Sequence, residues 1–193
     1  MRLAFQTMHG ASNIVLIGPM GAGKSVLGRR IATHFGLHFI DTDALIEQRT
    51  GTSIPIIFDV EGEAGFRARE KAVIGEVCAL HGQVIATGGG AVLDVENQYA
   101  LKQAGLVVYL RVSLAQQIKR VANDRNRPLM ATDDPAARLQ QLAQQREPIY
   151  QALADLRFTT DDLNAEAASE RVIARLAGLP RLQHLIARKD RHA

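Results

Sequence analysis

The sequence predicts a three-layer α/β/α domain built on a five-stranded parallel sheet. Strand-like and helix-like segments alternate along the chain, as they do where crossover helices join parallel strands. The first strand candidate, Ile14–Ile17, is apolar at every position, as expected of a strand buried on both faces. A glycine-rich loop and then an amphipathic helix follow it. The loop therefore falls at the carboxyl edge of the sheet, where parallel sheets collect ligands. At 193 residues the chain is sized for one domain.

Each element has its own signal. Lys24–Phe35 is helical by the spacing of Val26, Leu27, Ile31 and Phe35, and Gly36 stands where a C-cap glycine belongs. His38–Asp41 reads as the second strand, and Ala44–Arg49 as a helix stopped by Thr50-Gly51. Ser53-Ile54-Pro55 opens a short helix, with proline tolerated in the first turn. Glu63–His81 is a long helix, and Val84–Thr87 is the third strand. A helix around Val95–Gln103 and a strand at Leu106–Val112 come next. Ser113-Leu114-Ala115-Gln116 has capping-box form and marks another helix start. Polar, charged residues 122–134, with Pro128, read as a mobile loop. Pro135 opens a helix, Glu147-Pro148 is expected to start another, Arg157–Thr160 is the last strand, and Asn164 caps a final helix ending near Gly178.

Composition narrows the function classes. The chain is 47% hydrophobic and 22% charged, with a net charge of +3, which suits an ordinary globular protein with an anionic ligand. No Lys/Arg run is interleaved with aromatics, so nucleic acid is not expected as a partner. No apolar run approaches the roughly 20 residues of a membrane span, and no signal-peptide pattern opens the chain. The single cysteine, Cys78, permits no internal disulfide and points to a cytoplasmic setting. The histidines show no metal-ligand spacing.

Residues 18–25, Gly-Pro-Met-Gly-Ala-Gly-Lys-Ser, match the phosphate-loop pattern G-x-x-x-x-G-K-[S/T] in its strand–loop–helix context. Glycines let the backbone curl so that several N–H groups face one anion, and the helix N-terminus adds its dipole. Lys24 is placed to reach the β- and γ-phosphates and the Ser25 hydroxyl to meet magnesium. The second strand ends in Asp41, with Asp43 two residues on. One can face the metal and the other a second substrate, although Asp43 also suits the N-cap of the helix at Ala44. Gly88, Gly89 and Gly90 end the third strand without side chains, so a ligand can touch the backbone, or the chain simply turns there. Arg67, Arg127 and Arg146 lie in separate segments, and each guanidinium can grip carboxylate or phosphate with two prongs. Arg120, Arg125 and Arg127 flank or occupy the polar loop, as a phosphate-closing lid requires.

Together these residues resemble the shikimate kinases, members of the nucleoside-monophosphate-kinase-like P-loop group. The matching pieces are the phosphate loop, Asp-Thr-Asp at 41–43 and Ile-Phe-x-x-x-Gly-Glu-x-x-Phe-Arg-x-x-Glu at 57–70. Thr-Gly-Gly-Gly-Ala-Val at 87–92, Asn-Arg-Pro-Leu at 126–129 and Arg-x-Pro-x-Tyr at 146–150 complete the set, in the family's order and spacing. The resemblance covers about residues 12–175. It implies the P-loop kinase fold with a lid and a shikimate-binding region. The activity implied is that of a phosphotransferase with an alcohol acceptor: ATP phosphorylates the 3-hydroxyl of shikimate, a step toward chorismate and the aromatic amino acids. ATP is then expected on Gly21, Ala22, Gly23, Lys24, Ser25 and Val26, with Arg120 against adenine and Arg127 on the phosphates. Shikimate is expected on Asp43, Arg67, Gly88, Gly89, Gly90 and Arg146. Magnesium is expected on Ser25, and on Asp41 through water. Lys24, Asp43 and Arg127 carry the catalysis, Asp43 first by positioning the hydroxyl and second as a base.

The expected organisation is a leader at 1–12, a kinase domain at 13–178 with its lid at about 122–134, and a basic tail at 179–193, acting as a cytoplasmic monomer. In the tail, Leu182, Leu185 and Ile186 can form an apolar face. Two other readings are a related kinase for gluconate or a nucleotide, and a ligand-sensing domain of the same fold.

Overall fold

A computed structural model describes residues 12–121, 134–161, 163–180 and 182–183. Five strands form one parallel sheet: β1 (Asn13–Ile17), β2 (His38–Asp41), β3 (Gln83–Ala86), β4 (Gly105–Arg111) and β5 (Leu156–Thr159), in the order β2-β3-β1-β4-β5. The expected strands are all present, three of them shifted by a residue.

Both faces of the sheet are covered, which explains why β1 is apolar throughout. Successive side chains leave a strand on opposite faces. Ile14 and Leu16 join a core with Leu27, Ile31 and Phe35 of α1 (Lys24–Phe35) and Val172 and Leu176 of α7 (Ala165–Ala177). Val15 and Ile17 face the other way. They join Phe66, Val73, Ile74 and Val77 of α3 (Ile54–Cys78), Leu101 of α4 (Val95–Ala104) and Tyr150 of α6 (Pro135–Leu153). The three-layer prediction therefore holds. A third, small cluster joins Met20 of the phosphate loop to Val121 of α5 (Leu114–Val121) and to Leu139 and Leu142 of α6. One further helix, α2, spans Thr42–Thr50. No helix among the described residues is long and apolar enough to cross a membrane.

Several local features differ from the sequence reading. No new helix starts at Glu147-Pro148, because α6 runs through Pro148 without a break in assignment. Proline inside a helix costs about 3 kcal/mol in isolation. Here Leu139, Leu142, Arg146 and Tyr150 are buried along one face on both sides of the proline, and that packing carries the helix past it. The two helices expected at 53 and 63 meet end to end as α3, with a non-helical break at Gly62 (φ 70°, ψ −179°). Arg69 and Glu61 bridge the break with two hydrogen bonds of 2.9 and 2.7 Å. The capping box at Ser113 is only half made. The Ser113 hydroxyl accepts from the Gln116 N–H, while the Ser113 N–H is taken by the Asp161 carboxylate at 2.8 Å. Leu182 lies in the core at 2% exposure, so packing continues beyond Gly178. Leu185 and Ile186 lie outside the described residues.

Because all five strands are parallel, the segments leaving β1, β2 and β3 open on the same edge. These are the phosphate loop, Asp41–Asp43 and Thr87–Gly90.

Candidate active site

The phosphate loop is held from behind. Gly18 has φ 142°, and a Cβ there would stand 2.4 Å from the Leu110 carbonyl oxygen on β4. Only glycine fits both the conformation and the close approach. Gln117 of α5 donates to the Met20 carbonyl at 3.1 Å, and Arg120 donates to the Gly21 carbonyl at 3.0 Å. With its carbonyls tied to α5, the loop is fixed ahead of α1. Lys24 donates to the carbonyls of Gly18 and Pro19, each at 2.8 Å, so its ammonium lies across the loop. Ala22 is buried and Val26 is exposed. Arg120 also donates to the Thr160 carbonyl at 2.7 Å, fastening the guanidinium between the loop and the end of β5. Arg127, and the expected lid apart from Asp134, lie outside the described residues. Asp134 caps α6 by accepting from the Ala137 N–H at 2.9 Å.

The three residues 41–43 divide their tasks. Asp41 is the N-cap of α2. Its Oδ1 accepts from the N–H groups of Asp43 and Ala44, and its Oδ2 accepts from the Ser25 hydroxyl at 2.5 Å. The cap for which the sequence offered Asp43 is thus supplied by Asp41, and Asp43 sits in the first helical turn. The fully buried Thr42 accepts the Gly88 N–H at 3.2 Å, binding this segment to the glycines after β3. The Ser25–Asp41 oxygen pair at the start of α1 suits a hard divalent cation, which needs few protein ligands when phosphates supply the rest. Among the described residues no cluster of three or more His, Cys, Asp or Glu could hold a metal by itself.

Four ionisable side chains converge on the glycines. A Cβ on Gly88 would lie 2.7 Å from Asp43 Oδ1 and from Glu70 Oε1, and one on Gly90 would lie 2.4–2.7 Å from the Arg67 guanidinium. A Cβ on Gly89 would lie 3.6 Å from Arg146 Nη1. The glycines therefore leave room for these groups to meet, which a plain turn does not require. Arg67 donates to Glu70 at 2.7 Å and to Glu63 at 2.9 Å. Burial pushes the Glu70 carboxyl above its usual range even beside Arg67, because Glu70 is only 1% exposed. Arg67 is raised: burial opposes its charge, but the two carboxylates outweigh it. Arg146 differs. It is buried, burial holds it below the usual guanidinium value, and no carboxylate within the described residues forms an ion pair with it. Its Nε and Glu70 Oε1 are buried without a hydrogen-bond partner among the described residues. A buried cation short of counter-charge, beside glycines that leave backbone open, fits a small anionic ligand.

A family model described as shikimate kinase matches residues 20–177. The chain belongs to the shikimate kinase family. It is 52% identical over 168 residues to a shikimate kinase of Pseudomonas syringae pv. syringae, covering 87% of this chain and 98% of that one. It is 52% identical over 169 residues to one from Halorhodospira halophila, covering 88% of this chain and 96% of the relative. A shikimate kinase of Acinetobacter baumannii, solved in complex with shikimate, superposes with a TM-score of 0.84 at 40% identity, over 86% of this chain and 93% of that one. The P-loop kinase fold expected from the resemblance is the fold observed.

Several residues at this shikimate kinase site had no role in the sequence reading. Thr42, Glu70 and Tyr150 lay inside the quoted motifs, but pattern alone does not say which motif residues hold the others. Glu63 also lay inside a quoted motif, whereas Gln117 carried no signal beyond being a polar residue in a helix. Cys78 takes no part: it is half-buried on α3, and burial pushes its thiol up to about 11. At about pH 8 it is overwhelmingly a thiol, so iodoacetamide should label the folded protein far more slowly than the urea-unfolded chain. Equal labelling rates in the two states would contradict that placement.

Proposed function

We propose that this protein transfers the γ-phosphoryl group of ATP to the 3-hydroxyl of shikimate, giving shikimate 3-phosphate and ADP for chorismate and aromatic amino acid biosynthesis. The observation that carries this reading is the meeting of Asp43, Arg67 and Arg146 on Gly88–Gly90, directly beside the phosphate loop. Shikimate has one carboxylate and three hydroxyls. Arg146 and Arg67 grip the carboxylate, the open backbone of Gly88, Gly89 and Gly90 lies along the ring, and Asp43 accepts from hydroxyls.

ATP lies with its phosphates on the N–H groups of Gly21, Ala22, Gly23, Lys24, Ser25 and Val26. Arg120, already fixed by Gly21 and Thr160, presents a guanidinium face to adenine. Arg127 reaches the phosphates from the lid. Ser25 would hold magnesium directly and Asp41 would hold it through water. When bound, the ion neutralises charge on the phosphate oxygens. Phosphoryl transfer depends mainly on alignment and charge stabilisation. Lys24 supplies charge, and Asp43 aligns the acceptor hydroxyl and can take its proton. In this reading the working unit is a monomer in the cytoplasm that takes no nucleic acid.

Proton-coupled phosphorus NMR of the product tests the position of transfer. Coupling of the new phosphorus to the ring proton at carbon 3 is expected. Coupling to the proton at another ring carbon, or phosphate released to water alone, would contradict the reading. The glycines give a second test. Gly90→Ala places a Cβ on the flexible end of Arg67, so the fold should survive while the guanidinium is displaced. Shikimate KM should rise about tenfold, the scale of one charged hydrogen bond, with ATP KM unchanged. An unaltered shikimate KM would remove Gly90 and Arg67 from the pocket.

A further inference from the structure

Tyr150 lies behind this pocket, in neither the phosphate loop nor the set of charged residues. Its hydroxyl donates to the Gly89 carbonyl at 2.5 Å, and the Arg146 guanidinium lies beside the same glycine, its Nη1 3.6 Å from where a Gly89 Cβ would stand. The ring is 2% exposed and stacks on Tyr109, with centroids 5.0 Å apart and planes 22° apart. The phenol is therefore fixed in place before any ligand arrives. Burial, above all, keeps it protonated by pushing its pKa well above the usual value, so it stays a donor at every working pH.

The geometry has a direct consequence for the backbone. No described peptide bond is cis, and in a trans peptide the carbonyl and the following N–H point in opposite directions. Fastening the Gly89 carbonyl to Tyr150 therefore fixes the direction of the Gly90 N–H. Glycine has no side chain to hold that peptide plane, and three in succession leave it free to rotate.

We propose that Tyr150 is the positioning residue of the acceptor pocket: its hydroxyl sets the Gly89–Gly90 peptide, beside which the Arg146 guanidinium lies, for the substrate. The assignment rests on the shikimate reading above. It separates Tyr150 from Tyr109, whose hydroxyl turns away to Glu147.

Tyr150→Phe keeps the ring and its stack and removes only the hydroxyl. Shikimate KM is expected to rise about tenfold, the scale of a buried acceptor left without its donor, while ATP KM stays within about twofold. Tyr109→Phe is expected to leave both values where they were. KM does not depend on the fraction of folded enzyme, so a reduced yield of active Tyr150→Phe does not blur the result. Three outcomes overturn the proposal: an unchanged shikimate KM, an equal rise in both KM values, or a Tyr150→Phe chain that does not fold at all, which makes the hydroxyl a folding element. Failure of the wild-type protein to turn over shikimate is a separate outcome and overturns the function reading instead.

Discussion

Lys24→Ala is expected to lower kcat by about 10²-fold or more, the usual cost of removing one fixed electrostatic stabiliser of a transition state. In the structure the ammonium lies on the carbonyls of Gly18 and Pro19, at the mouth of the loop that would hold the phosphates. Its charge is the nearest the phosphate loop itself offers to the transferring group. The loop should survive the change, because Gln117 and Arg120 still tie its carbonyls to α5. A kcat near wild type, measured at saturating ATP on protein with a normal thermal melt, would defeat the phosphate-loop assignment.

Arg67→Ala should act on the other substrate. Loss of charged hydrogen bonds to a carboxylate predicts a rise of about 30-fold in shikimate KM with little change for ATP. A weakened ATP KM with shikimate unaffected would mean that the two pockets are assigned the wrong way round. The variant also carries a pH signature. Burial already holds Glu70 above its ordinary 4.5, and Arg67 pulls it back down. Removing Arg67 lets the folded-state value climb further. A carboxyl raised on folding favours the protonated folded form at low pH, and that contribution is lost as pH rises through the folded value. The melting-temperature deficit of Arg67→Ala should therefore be larger at about pH 8 than at about pH 5. A deficit independent of pH would show that Glu70 does not feel the loss.

The parts of this molecule that were readable in the sequence are those set by local rules. The double-sided burial of β1 is written in its apolar run. The phosphate loop is spelled by residues that only a tight anion-binding turn needs, and Gly36 stops α1 as expected. Features decided by contacts distant in sequence were less legible. Pro148 resembles a helix start, yet packing of Tyr150 and Leu142 into two different clusters carries α6 through it. Asp43 was the residue that the sequence offered for the cap of α2, and the structure gives the cap to Asp41. The choice was made by Ser25, which comes 16 residues earlier and holds Asp41 in place. Glu70 and Tyr150 stood inside recognised motifs, but their value lies in gripping Arg67 and Gly89, and no spacing rule shows that. Leu182 fell in a segment read as tail because no motif extends past Gly178, while the cluster it joins includes residues of α1 and α7.

The most direct test of the central claim is ADP release by the purified protein with ATP and magnesium, measured with and without shikimate. Strong release that depends on shikimate, and little with gluconate or a nucleoside monophosphate, is the expected result. Protein that binds ATP yet releases no more ADP when shikimate is added would contradict the account, leaving a phosphate loop whose acceptor pocket serves another ligand.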